Sequence, residues 1–230
     1  MKTLYHGSVS IIEKPEYGQG NPRNDYGLGF YCTENTELAK EWACLNKNGG
    51  FMNAYTIDEK KLNVLNLSDN SFNILHWLTI FVNNRTFRIS NQIAAQAKEY
   101  LLTHFLTNLS QYDAVIGYRA DDSYFAFAMD FLNNTISLRQ LERAMYLGKL
   151  GEQFMIKSEK GFRLIKFTGS ESVDGEIYYT KRLARDNDAR EQYIKGDRRA
   201  STVANDIFMI DILREEMKQN DARLQRKILE

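Results

Sequence analysis

Strand-like and helix-like stretches follow one another in this chain without a regular strand–helix–strand rhythm, and that irregularity limits the folds open to it. Residues 3–6 read as a short opening strand. Residues 8–29 carry Pro15, Gly18, Gly20, Pro22 and Gly27 ahead of the pair Phe30-Tyr31, which marks an irregular loop. Loops of that length inside a compact domain are usually functional. Asn35 or Thr36 is placed to cap a helix with Leu38, Trp42 and Leu45 on one face. Residues 51–57 and 62–67 read as strands, 74–82 and 92–106 as helices, and 112–118 as a buried strand. Short helices are expected at 125–132 and 138–147, then a pair of strands at 153–156 and 162–167 joined through Glu159-Lys160-Gly161. With no β-α-β alternation and no internal repeat, the class is α+β.

Thirty Lys and Arg balance thirty Asp and Glu, so bulk electrostatic attraction to nucleic acid or anionic lipid is not available. Charge is nonetheless uneven: residues 181–230 hold 22 charged residues in 50, against 38 in the preceding 180. This predicts a domain at 1–170 and a charged, mainly helical extension at 171–230 packed on it, with Ser201 or Thr202 capping a helix through Val203, Ile207, Ile210 and Met217. The interleaved charges of that extension are a solvated face or a binding surface for an inhibitor protein or an RNA. Cys32 and Cys44 form no CxxC pair and no cleavable leader is read after Met1, so the cytoplasm is the expected compartment. No apolar run approaches the roughly 20 residues of a spanning helix, and no membrane role is expected. His6, His76 and His104 lie 70 and 28 positions apart, so no metal site is expected either.

Three motifs carry chemistry. Leu4-Tyr5-His6-Gly7-Ser8 sets a His-Gly pair at the end of the opening strand. Glycine lets a ligand approach the backbone, and its N–H and C=O can bracket a planar carboxamide, although a strand-terminal glycine is commonly just structural. Asn24 to Thr33, NDYGLGFYCT, brings two glycines before Phe30-Tyr31, so that either one ring points inward and one toward a cleft or both are core. Gly151-Glu152-Gln153-Phe154-Met155-Ile156 is a polar pair opening an apolar strand, which ordinary surface polarity also explains.

In this order the motifs resemble the ADP-ribosyltransferase superfamily, in its His-Tyr-Glu branch. LYHGS at 4–8, NDYGLGFYCTENTELAKEWA at 24–43, WLTIFVNNR at 77–85, YDAVIGYRADD at 112–122 and EQFMIKSEKGFRLIKF at 152–167 resemble a small bacterial family of it catalogued as a domain of unknown function. The resemblance implies two small packed β-sheets that form an NAD cleft, flanked by helices, over residues 1 to about 167. It implies that NAD is the substrate, that His6 hydrogen-bonds a ribose hydroxyl, that the Gly7 backbone holds the carboxamide and that Tyr31 stacks on the nicotinamide ring. Ser8, Arg23 and Phe30 join the expected NAD-binding set, and Arg23 or Arg85 is placed to meet the pyrophosphate.

One position departs from the pattern. The resemblance puts Gln153 where the family has a catalytic Glu, which gives up a charge-assisted bond about twice as strong as a neutral one. Glu152 is adjacent but points to the opposite face of a strand, so it is kept as an acceptor-side candidate. Asp121 and Asp122 act as a base for the acceptor or cap the following helix. The implied activity is transfer of ADP-ribose to an unidentified acceptor, as a toxin or anti-phage effector checked by a small antitoxin-like inhibitor. An NAD glycohydrolase and an NAD- or nucleotide-binding module impaired by Gln153 are the alternatives.

Overall fold

Seven strands and eight α-helices are formed among the described residues, which are residues 1–225 of a computed structural model except 87, 88, 90, 121 and 150. The class is α+β, and the chain gathers into two compact units. The first takes residues Met1–Asn66, Asn108–Arg119 and Gly151–Asp186; the second takes Leu67–Thr107, Ala120–Leu150 and Asn187–Glu230. The boundary expected at residue 170 falls inside a strand of the first unit, Lys166–Val173.

Two small sheets make the first unit. One orders β1 (Lys2–Ser8), β3 (Gly50–Ile57) and β7 (Lys166–Val173) as β1-β3-β7, all antiparallel. The other orders β2 (Phe30–Cys32), β6 (Glu152–Ile156), β5 (Ala114–Tyr118) and β4 (Val64–Asn66) as β2-β6-β5-β4, with only the β4–β5 pair parallel. Side chains alternate across a strand, so each sheet can give one face to a shared core. Leu4, Tyr55 and Ile57 from one sheet and Cys32, Ala114, Phe154 and Ile156 from the other do so. A single bridge joins the sheets at Tyr5 and Thr33, whose N–H and C=O groups exchange bonds of 2.8 and 2.9 Å.

Helix α1 (Thr36–Ala43) covers β1 from the other side. Asn35 is its cap, accepting from Leu38 N at 3.2 Å. Leu45 lies beyond this helix and is exposed, so the expected apolar face is shorter than its periodicity implies. The helix α7 (Gly175–Lys195) carries the charge-rich segment, and its residues up to Asp186 belong to the first unit. There Arg185 Nε donates to the buried Glu41 carboxylate at 2.7 Å, which fixes the helix against α1.

Two sequence expectations are corrected. Residues 162–167 do not form a strand paired with β6. Ser158 accepts from Gly161 N at 3.1 Å and caps a helix, α6 (Glu159–Leu164), and the strand begins only at Lys166, in the other sheet. The local cap outcompetes the β-rich composition of the segment. Likewise no helix starts at Ser201 or Thr202. The Asp206 carboxylate accepts from Val203 N at 2.9 Å and from Arg139, holding the segment as a turn, and α8 is limited to Met209–Arg214.

The second unit is helical. It contains α2 (Ile74–Asn84), α3 (Gln92–His104), α4 (Asp122–Leu132), α5 (Leu138–Ala144), α8 and the remainder of α7. Helix α2 is buried almost all round, as its unbroken apolar run requires. Its start is closed reciprocally, since Asn73 accepts from Leu75 N at 3.0 Å while His76 Nδ1 accepts from Asn73 N at 3.2 Å. Tyr193 of α7 packs on Phe127 at 4.1 Å and donates to Asp130 at 2.7 Å. No helix among the described residues is long and apolar enough to cross a membrane.

One carboxylate in this unit is poorly compensated. Glu142 lines a cavity of about 410 Å³ with Leu138, Val203, Ile207 and Met217, and its buried Oε2 has no hydrogen-bond partner among the described residues. Burial pushes its carboxyl up to about 7 from 4.5. The folded chain therefore binds this proton more tightly than the unfolded chain. The stabilisation is complete below pH 4.5 and is lost as pH rises through 7. Glu142→Gln is expected to raise stability at pH 8 by on the order of 2 kcal/mol and to change little at pH 4.5, as read by chemical denaturation. An equal change at both pH values would contradict this assignment.

Candidate functional site

β1, β2 and β6 each present one of the sequence-predicted residues, and all three strands lie in the first unit. β1 and β2 share only the Tyr5–Thr33 bridge and then part. His6 spans the opening: its Nδ1 lies 2.7 Å from Tyr31 O. A carbonyl oxygen only accepts, so Nδ1 carries the hydrogen and Nε2 keeps its lone pair in the neutral ring. Burial lowers the His6 pKa from 6.5, more than the Tyr31 carbonyl raises it, so the imidazole is neutral at pH 7. Its ring rests on Phe30 with centroids 4.4 Å apart, and Phe30 in turn meets Tyr55 and Phe162.

Phe30 and Tyr31 point to opposite faces of β2. Tyr31 therefore faces away from His6, and the register with β6 pairs it with Met155, which puts it on the same face as Gln153. The structure thus brings Tyr31 and Gln153 together on one face and joins His6 to them through the Tyr31 backbone. The Tyr31 hydroxyl donates to Gly27 O at 2.5 Å and accepts from Tyr26 N at 3.1 Å, closing the end of the long loop onto its own strand. Gly27 has φ +83°, a conformation that a side chain disfavours, and so the turn depends on it.

Gln153 is 4 % exposed, and Glu152 beside it is exposed. The β5–β6 register runs from Gly117–Gln153 to Tyr118–Glu152 without a bulge, so the two residues keep opposite faces. The Gln153 Nε2 donates to Asp25 Oδ2 at 2.9 Å and to Tyr118 O at 3.3 Å. Both partners only accept, which fixes the amide with Oε1 turned away from them. Asp25 is itself 4 % exposed, and Tyr26 beside it is anchored by its hydroxyl on Tyr118 O at 2.6 Å. Sequence reasoning missed Asp25 entirely. Its one signal was its position in an NDYG turn at the end of a loop too long to be a plain connection.

The remaining candidates divide between structural duty, solvent and the second unit. Gly7 leaves its side-chain position to α1: a Cβ there would sit 2.0 Å from Ala39 O and 2.4 Å from Ala43 N. Ser8 donates to Ser10 O at 2.6 Å and accepts from the wholly buried Asn53, whose Oδ1 also holds Ile12 N at 3.0 Å. Asn53, also missed, thereby shapes the start of the loop that Asp25 and Tyr31 close. Arg23 is exposed in that loop. Arg119, at the end of β5, lays its guanidinium 3.8 Å over the Trp42 ring. Arg85 follows α2 in the second unit, over the Phe81 ring at 5.8 Å. Asp121 lies outside the described residues, and Asp122 is the first residue of α4.

Residues 2–167 match the model of the family described as "Protein of unknown function (DUF3990)", and the chain belongs to that family. Among the curated proteins and the solved structures compared with it, none matches.

The contact of β1 with α1 gives a direct check on the site's frame. Gly7→Ala is expected to destabilise the protein by on the order of 3 kcal/mol, because the added methyl meets the backbone of α1 at Ala39, Trp42 and Ala43. Denaturation midpoints equal to those of the parent would show that β1 and α1 are not packed in this way.

Proposed function

We propose that the first unit binds NAD and catalyses ADP-ribosyl transfer. The observation that carries this reading is the neutral His6 at the parting of β1 and β2, with Nδ1 committed to Tyr31 O and Nε2 left as an acceptor suited to a ribose hydroxyl. Its support is the order in which β1, β2 and β6 bring His6, Tyr31 and Gln153, which is the order of the His-Tyr-Glu pattern. In this reading the two sheets form an ADP-ribosyltransferase-like fold with the dinucleotide at their parting. Phe30 and Tyr31 supply aromatic surface on either face of β2, and Arg23 or Arg119 supplies charge for the pyrophosphate.

The reaction breaks the bond between the nicotinamide nitrogen and C1 of its ribose. The nitrogen keeps the bonding pair, which leaves neutral nicotinamide, and the ribose passes through an oxocarbenium-like state. An acceptor lone pair then forms the new bond at C1, and the acceptor's proton is released. Gln153 Oε1 is the acceptor atom offered to the ribose 2-hydroxyl as positive charge develops. By the same resemblance, the macromolecular acceptor makes the protein a toxin or anti-phage effector restrained by an inhibitor protein.

A binding module is the second reading, and one observation favours it. The Gln153 amide hydrogens and the Tyr31 hydroxyl are already engaged inside the protein. Incubation with labelled NAD and cell lysate, followed by separation of protein, RNA, DNA and free ADP-ribose, distinguishes the readings. Label on a macromolecule supports transfer, free ADP-ribose alone supports hydrolysis, and retained intact NAD supports the module. Neither binding nor cleavage would refute all three.

Protonation of His6 removes the Nε2 lone pair, so turnover is expected to fall on the acid side. The lowered pKa places that limb below pH 6.5. A limb centred above pH 7 that disappears in His6→Gln would contradict the role given to the neutral ring.

A further inference from the structure

Where the His-Tyr-Glu pattern has a carboxylate this chain has an amide, yet a carboxylate is present one hydrogen bond behind it. We propose that Asp25 is the anion of the active site and acts through Gln153 as a positioning residue. The proposal rests on the transferase reading above and adds the residue that makes a glutamine workable there.

The geometry supports it at each link. Asp25 and Gln153 are each 4 % exposed, so their 2.9 Å contact lies in a low-dielectric setting where a charge-assisted bond is strong. Because Nε2 faces Asp25 Oδ2 and Tyr118 O, the amide cannot flip without setting Oε1 against two acceptors. Oε1 accepts no hydrogen bond among the described residues. A carboxylate that accepts from Nε2 draws positive charge toward the nitrogen and leaves Oε1 more negative, as in any polarised chain of hydrogen bonds. The ribose 2-hydroxyl, Gln153 and Asp25 would then form one such chain, ending in a fixed negative charge that stabilises the oxocarbenium-like state. Asp25 is held in place independently, since Tyr26 is anchored on Tyr118 O and the Tyr31 hydroxyl closes the turn that follows.

This changes what Gln153→Glu should do. The new carboxylate would lie against Asp25, and two carboxylates in contact share one proton with a raised apparent pKa. The substitution alone should therefore shift the acid limb of turnover upward rather than improve activity. Asp25→Asn combined with Gln153→Glu moves the single charge to position 153 and should restore turnover.

The experiment measures nicotinamide release from NAD by the full chain, across pH, for the parent, Asp25→Asn, Gln153→Glu and the double variant, with thermal stability in parallel. The expected result is a kcat lowered at least tenfold in Asp25→Asn with KM for NAD within about twofold, a melting point near the parent's, and recovery in the double variant. A parent active on NAD with Asp25→Asn equally active would overturn the proposal and leave the transferase reading standing. A double variant no better than Asp25→Asn would overturn it too, as would loss of activity tracking loss of fold. A parent that neither binds nor cleaves NAD would refute the underlying reading, and the proposal with it.

Discussion

The contact between Asp25 and Gln153 is the point on which the first unit's architecture turns. A buried carboxylate is costly unless it is met by donors, so its position is strongly determined once a donor is provided. One donor here is the amide of Gln153 on β6, and the consequence is that residues 8–29, which lack helix or strand beyond Ser8, end in a fixed place. Asn53 and Tyr55 fix the other end of the same loop, the first through Ile12 N and the second through Ile12 O at 2.5 Å. A segment rich in glycine and proline is thus held by side chains from β3 and β6, and its chemistry is delivered to the place where the two sheets part.

The parting itself follows from how little joins β1 to β2. One bridge at Tyr5 and Thr33 holds the sheets together at one end, and their shared core of Leu4, Tyr55, Phe154 and Ile156 holds them behind. Past the bridge no further backbone pairing joins β1 to β2 among the described residues, and His6 sets its ring against Phe30 and its Nδ1 on Tyr31 O. A histidine in that position does structural work by satisfying a carbonyl, and the same bond selects the tautomer that leaves Nε2 for a ligand. The structural and chemical explanations of His6 therefore require the same geometry.

Much of the frame was legible in the sequence because it rests on local periodicity. β1, β3, β5 and β6 and the helices α2, α3 and α4 lie where alternation or helical spacing put them. That Gln153 and Glu152 keep opposite faces of β6 also followed from alternation alone. What was not legible depended on contacts distant in sequence or on caps. Asp25 looks like an ordinary turn residue until a strand 128 positions later meets it. Asn53, in an apolar strand, gave no sign of organising a loop. Gly7 was legible as a special position, but the reason visible in the structure is the pressure of α1. The interleaving of the two units was hidden as well, because each unit is assembled from three separate stretches of chain.

The central claim, that the site's negative charge reaches the substrate through Gln153, is tested most directly by a crystal structure of the protein with an NAD analogue whose glycosidic bond cannot be cleaved. The account predicts the nicotinamide ribose with a hydroxyl within hydrogen-bond distance of Gln153 Oε1, while Nε2 remains on Asp25. An analogue bound with its ribose remote from Gln153, or bound only after the Asp25–Gln153 contact has broken, would contradict it.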